Sequence, residues 1–189
     1  VPGLRVVMPY SVKDARDLLV AATLCDDPVL YMDDRWLYDQ KAEIPDKPET
    51  SLANFKPEVI REGKDVTIVG TGFSALLAQQ VAESLAKDGV SAEVIGIRVL
   101  NPFDGAEIAK SVTKTGRLLV LDGSWKNCGF SAEIIASVME IIDPRALKAK
   151  PVRITLPASP APTSGPLEDI YYPKAEFAHN KAKELVFNA

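Results

Sequence analysis

The sequence predicts an α/β fold of three layers, helix–sheet–helix, around an open and mostly parallel sheet. A short strand–helix–strand unit precedes it. Three observations carry this. From Asp65 onward, short β-branched runs alternate with stretches of helical spacing. One run, Leu118 to Leu121, is nearly all apolar, as in a strand buried on both faces. Residues 1–33 show their own strand–helix–strand pattern, set apart by a stretch of weak periodicity.

The first strand runs from Leu4 to Met8 and ends at Pro9. Ser11 then opens a helix with Asp14 three residues on, in the manner of a capping box. Ala15, Leu18, Leu19 and Ala22 are expected on its inner face. Asp26-Asp27-Pro28 stops it, and Val29 to Met32 forms a second strand. Three such elements cannot enclose a core of their own, so this unit must pack on something else. The chain opens with Val1-Pro2-Gly3 and no initiator Met, which reads as the remainder of a longer chain or a trimmed one. Residues 39–64 carry Pro45, Pro48 and Pro57 with many charges and read as a connector.

The regular part begins with a strand at Val66–Val69 and a helix marked by Phe73, Leu77, Val81 and Leu85. Asp88-Gly89 closes that helix. Ala92 to Val99 reads as one strand. Pro102-Phe103-Asp104 then introduces a helix with Ile108 and Val112 inward, ended by Gly116. After the strand at Leu118–Leu121, residues Phe130, Ile134, Val138 and Ile141 line a third helix. Val152–Leu156 is the next strand, Pro157–Pro166 a Pro-rich segment, and Lys174–Phe187 a final amphipathic helix.

Composition sets bounds on function. Of 189 residues, 47% are hydrophobic and 25% charged, the balance of an ordinary globular domain. No apolar run approaches the roughly 18 to 20 residues of a membrane helix. Net charge is −4 with no dense basic stripe, which argues against nucleic acid as a partner. Two cysteines far apart, Cys25 and Cys128, suit a reducing cytoplasm.

The sharpest local motif is Gly70-Thr71-Gly72-Phe73-Ser74-Ala75, a G-x-G-x-x-A turn between a strand and a helix. Such a turn aims free N–H groups at an anion. A nicotinamide site would also want an acid at the end of the next strand. Arg98 stands there instead, where it could meet a 2′-phosphate. The turn therefore reads first as structural, with a nucleotide site as the alternative. Cys128 precedes a helix start, which would lower a thiol pKa. Its only conceivable base is His179, far along the last helix. Asp33-Asp34 and Glu168-Asp169 read as loop or surface charge. No metal-ligand spacing is present, and the residues alone reveal no active site. Leu167 to Pro173 is too apolar for a linker and reads as docked, with Tyr171 and Tyr172 as interface anchors.

The ordered set of segments resembles a family. Val1-Pro-Gly-Leu-Arg-Val-Val-Met-Pro9, Asp14-Ala15, Leu18-Leu19, Asp27-Pro-Val-Leu-Tyr31 and Leu37-Tyr38 come first. Arg61-Glu-Gly-Lys-Asp-Val-Thr-Ile-Val69, Ala92-Glu-Val-Ile95 and Arg98-Val-Leu-Asn-Pro-Phe-Asp104 follow. Lys114 to Asp122, Gly129-Phe130, Ala132-Glu-Ile134 and Pro166-Leu-Glu-Asp169 complete it. In this order they are similar to the C-terminal portion of the beta subunits of thiamine-diphosphate-dependent 2-oxoacid dehydrogenases, in the transketolase superfamily.

The resemblance implies a division into residues 1–40, the tail of a pyrimidine-binding domain, 41–62, a linker, and 63–189, a transketolase-type C-terminal domain. The family decarboxylates a 2-oxoacid on thiamine diphosphate and passes the acyl unit to a lipoyl group. The activating carboxylate and the metal-binding Gly-Asp-Gly…Asn motif lie outside the matching segments. No thiamine diphosphate or Mg is therefore expected on this chain alone, and no catalytic or metal-ligating residue is assigned to it. The implied role is assembly: a homo-oligomer, with a dimer expected, joined to a subunit or domain that carries the diphosphate site. Docking to a lipoyl acyltransferase core belongs to the same expectation. Interface residues are expected at Trp36, Tyr38, Trp125, Phe130, Leu167, Tyr171 and Tyr172. The chain departs from the family habit between Asp122 and Ser131, and its Arg145–Lys150 loop is basic where relatives are often acidic. A divergent transketolase-like enzyme is the alternative within the superfamily, and a stand-alone non-catalytic binding module the alternative outside it.

Overall fold

A computed structural model describes residues 1–187. The unit at the N-terminus holds β1 (Arg5–Val7), α1 (Val12–Thr23) and β2 (Val29–Tyr31), followed by a 3₁₀ turn at Arg35–Leu37. After the connector come β3 (Glu58–Arg61), β4 (Val66–Thr71), α2 (Phe73–Lys87), β5 (Ala92–Ile97) and β6 (Val99–Asn101). The chain continues through α3 (Ala106–Thr115), β7 (Leu118–Trp125), α4 (Phe130–Ile141) and β8 (Val152–Leu156). It closes with α5 (Gly165–Tyr171) and α6 (Ala175–Phe187).

The main sheet has the order β3-β5-β4-β7-β8, parallel throughout except for β3, which runs antiparallel along β5. Alternation within β4 sorts the two faces: Val66 and Ile68 meet α2 and α6, while Val69 meets α3 and α4. The three-layer architecture is thus the one expected from the sequence. A second sheet, β2-β1-β6, carries the N-terminal unit, with β1 parallel to β2 and antiparallel to β6.

The stretch read as one strand, Ala92 to Val99, is therefore two. The apolar run continues without a break, but Arg98 leaves the main sheet and sends Val99–Asn101 to pair with β1. Its guanidinium is buried where three parts of the chain meet. It pairs with Glu58 at 2.9 Å and Asp14 at 3.5 Å and donates to the Lys56 carbonyl at 2.6 Å. It also lies 5.4 Å from the centre of the Phe55 ring. A buried guanidinium needs such partners, and their positions in α1, β3 and the connector tie the N-terminal unit to the main domain.

That cluster also corrects the inner face of α1. Ser11 caps the helix as expected, accepting from the Asp14 N–H at 3.1 Å and donating to Asp14 Oδ2 at 2.7 Å. The helix nevertheless buries Asp14, Asp17, Leu18 and Ala21 and leaves Leu19 exposed. The rotation follows from charge pairing: Asp14 faces Arg98, and Asp17 lies 2.9 Å from Lys13 and 2.7 Å from Arg16.

Three further differences have local causes. The connector contains β3, an edge strand too short and too polar to show alternation. In α4, Ile141 points outward and Ile142 inward, because the backbone turns extended at Ile142 and swings it into the core. The Pro-rich segment ends in α5, where Pro166 occupies the first turn, a position in which its missing N–H costs nothing.

Candidate functional site

The site is assembled at the carboxyl end of the main sheet, where β4 and β7 each turn into a helix. At the first turn, Gly72 has φ +52°, and a Cβ there would lie 2.5 Å from Met8 Cε and 2.9 Å from Asp34 Oδ2. Glycine is thus required both by the backbone and by the N-terminal unit resting on it. Asp34 reaches across from that unit: its Oδ2 accepts from the Phe73 N–H at 2.8 Å and its Oδ1 from the Trp36 N–H at 3.1 Å. Asp34 therefore fills the first turn of α2 as a long-range cap.

The second turn repeats this arrangement with a local residue. Asp122 Oδ1 accepts from the N–H and the hydroxyl of Ser124, at 3.0 and 2.7 Å. Its Oδ2 accepts from the Ser131 N–H at 2.7 Å, in the first turn of α4. The N-termini of α2 and α4 are thus each answered by a carboxylate of the chain itself.

Between these turns and the ends of β7 and β8 lies a cavity of about 330 Å³. Trp36, Phe73 and Tyr172 wall one side, with Trp36 5.0 Å from Phe73 and 5.3 Å from Tyr172 between ring centres. Leu77, Ile154 and Leu156 form the floor, and Asp34 and Asp122 line the wall toward the helices. Behind Tyr172, the Tyr171 ring stands edge-on at 5.1 Å. The Tyr171 hydroxyl donates to the Ser159 carbonyl at 2.8 Å and accepts from Trp125 Nε1 at 3.1 Å. This tie fixes the Pro-rich segment against the end of β7.

Four of the seven residues expected at an interface therefore converge here. Trp36 and Trp125 are about half exposed, Tyr172 is half-buried, and Tyr171 is buried with its hydroxyl holding Trp125. Leu167 is exposed on α5 beside Ile170, which is 82% exposed. Ile170 escaped sequence reasoning because its helix did. Tyr38 is exposed and donates to Asp33 at 2.5 Å. Phe130 lies apart, turned toward the other face of the sheet against Phe103 at 5.2 Å.

The readings of the chemistry-bearing residues resolve in the same way. Asp34 is a helix cap, not loop charge. Arg98 is committed to Asp14 and Glu58 and does not reach the glycine turn as a reader of a 2′-phosphate. An anionic nucleotide does not fit at that turn, since Asp34 already holds it. His179 Nε2 lies 2.8 Å from Asp88 Oδ2, just before β5 at the amino end of the sheet. Cys128 is exposed beyond β7 at the opposite end, with φ +59°, so the two do not meet. Among the described residues, no group of His, Cys, Asp and Glu could hold a metal ion, and no helix is long and apolar enough to cross a membrane.

Comparisons with known proteins agree with this architecture. Residues 56–177 match the family model of the transketolase C-terminal domain. The chain is 39% identical, over 193 aligned residues covering all of it, to the mitochondrial pyruvate dehydrogenase E1 component subunit beta-2 of Oryza sativa. It is 36% identical, over 93% of its length, to the acetoin:2,6-dichlorophenolindophenol oxidoreductase subunit beta of Cupriavidus necator. The aligned region is 51% of each of these relatives, so the chain spans about half their length. Among solved structures, a split-gene transketolase described as an inactive beta4 tetramer superposes with a TM-score of 0.77 at 21% identity, over 98% of this chain and 59% of that one. A transketolase mutant from Pichia stipitis superposes with a TM-score of 0.65 over 98% of this chain and 25% of its own. By fold, by the match over residues 56–177 and by similarity to these beta subunits, the chain belongs to the transketolase C-terminal domain family.

Proposed function

We propose that the chain is the C-terminal part of the beta subunit of a thiamine-diphosphate-dependent 2-oxoacid dehydrogenase, and that its task is assembly. The observation that carries this reading is the extent of the similarity. The Oryza sativa relative matches all of the chain, including the strand–helix–strand unit, whereas the domain model begins at residue 56. In this reading residues 1–40 are the tail of a pyrimidine-binding domain, 41–62 a linker whose end, β3, joins the main sheet, and 63–189 the rest of the C-terminal domain. That the relatives are enzyme subunits favours this over a stand-alone binding module.

The assembly surface is the rim at the carboxyl end of the sheet formed by the exposed Trp36, Tyr38, Trp125, Leu167 and Ile170 with the half-buried Tyr172. Large apolar side chains left together on a surface mark contact sites, and aromatic residues are enriched at interface centres. The partners in this reading are a second copy of the chain, a subunit or domain carrying the diphosphate site, and a lipoyl acyltransferase core. Thiamine diphosphate and Mg belong to the complete enzyme, in the cytoplasm. The residues of this chain do not fit them at the glycine turn, where Asp34 stands, and no catalytic step is assigned to this chain.

The reading is tested in the complete protein with the paired substitutions Trp36→Ser and Ile170→Ser. The expected result is a lower assembly mass in sedimentation, together with loss of thiamine-dependent 2-oxoacid decarboxylation. Unchanged mass and unchanged turnover would overturn it.

A further inference from the structure

We propose that the cavity walled by Trp36, Phe73 and Tyr172 binds a small organic cation, an alkyl or quaternary ammonium ion. The cavity shares Trp36 and Tyr172 with the rim assigned above to assembly, so the proposal is for the chain with that rim uncovered. Size comes first: about 330 Å³ lies at the small end of ligand pockets and admits a small molecule.

The walls then select the chemistry. Three aromatic rings line the space together with Leu77, Ile154 and Leu156 and the polar side chains of Ser74 and Gln80, and aromatic rings attract a cation. Charge completes the selection. Asp34 and Asp122 both line the space; both Asp34 oxygens and Asp122 Oδ2 accept a single main-chain N–H and keep a further lone pair, whereas Asp122 Oδ1 is filled by the N–H and hydroxyl of Ser124. Open α/β sheets commonly receive phosphates at this end through unanswered helix N–H groups. Here one N–H of each helix, Phe73 in α2 and Ser131 in α4, is taken by a carboxylate, so an anion would meet like charge at both turns. Lys174, the one cation of the lining, is paired with Asp169 at 2.9 Å and stands half exposed at the rim. A neutral molecule of the same shape would gain the apolar walls but neither the rings' attraction nor that of the carboxylates.

The test is a titration of the full chain with choline and, separately, with its uncharged isostere 3,3-dimethyl-1-butanol. The chain has two tryptophans, so the indole N–H resonances of Trp36 and Trp125 report the site and a nearby control. Choline is expected to shift the Trp36 resonance saturably, with an affinity at least about tenfold above that of the isostere. Tyr172→Leu and, separately, Phe73→Leu should each weaken choline several-fold with Trp36 still reporting. Equal affinity for the isostere, tighter binding of adenosine monophosphate at Trp36, or no saturable shift of Trp36 would each overturn the proposal.

Discussion

Asp34 and Phe73, 39 residues apart, are joined by a 2.8 Å hydrogen bond from the Phe73 N–H to the Asp34 carboxylate. Through it the N-terminal unit supplies the cap of the first helix in the main domain. The glycine turn that looks like a nucleotide fingerprint is thereby turned into a structural joint. Replacing Asp34 with Ala should cost about 1 kcal/mol of stability, the usual worth of a helix cap. Hydrogen exchange at the Phe73 amide should rise together with exchange in β1. Urea unfolding with exchange mass spectrometry checks both, and unchanged protection at Phe73 would count against the joint.

Gly72 serves the same joint from the other side. A Cβ at φ +52° is strained, and it would press on Met8 and on the capping carboxylate. Gly72→Ala should therefore destabilise by more than the ~1 kcal/mol of backbone strain alone. The control is Gly89→Ala, which has φ +77° but open space around it. A comparison of urea midpoints should place Gly72→Ala clearly below Gly89→Ala.

Arg98 is the second tie between the two sheets. Removing it as Arg98→Met strands Asp14, whose carboxyl is pushed up by burial even with Ser11 and Arg98 beside it. Breaking one partner of a buried pair costs about 3 to 5 kcal/mol. The double substitution Arg98→Met with Asp14→Asn should recover much of that loss, because no uncompensated charge remains. Equal stability of the single and double variants in urea would contradict the coupling.

Glu93 sets part of the acid sensitivity. Burial pushes its carboxyl up, but Lys114 and the Gly63 N–H, which donates at 3.2 Å, outweigh burial and hold it below the usual carboxylate range. Its folded value lies below its unfolded one, so its contribution is present above the ordinary carboxylate range. That contribution is lost as pH falls through the depressed value. Glu93→Gln should flatten the acid limb of the stability curve, seen as urea midpoints that change less between pH 7 and about 3 than those of the unsubstituted chain.

What was legible in the sequence follows from how local each signal is. Helices α2, α3, α4 and α6 announce themselves through spacing, and α2 buries Leu77, Val81 and Leu85 as its pattern predicts, while α4 departs only at Ile141. The Ser11 cap was legible because donor and acceptor stand three residues apart. The Asp34 cap was not, since its partner stands 39 residues on and nothing near Asp34 distinguishes it from Asp33. Arg98 was misleading for the same reason: its position suggested a ligand, while its partners Asp14 and Glu58 come from two distant segments. At the rim, Trp36, Trp125 and Tyr172 were legible as large aromatic side chains outside any periodic core. That Trp36 and Tyr172 wall one cavity, with Trp125 nearby through Tyr171, depends on the third dimension and could not be read from spacing.

The central claim is that this chain is the assembly half of a larger thiamine-dependent subunit. Its most direct test is to isolate, from its native cell, the complex that contains this sequence, and to measure intact polypeptide mass and thiamine diphosphate content together. The account predicts a polypeptide about twice the 20.5 kDa of this chain, held in an oligomer that carries thiamine diphosphate. A 20.5 kDa polypeptide isolated as a monomer free of thiamine diphosphate would contradict it.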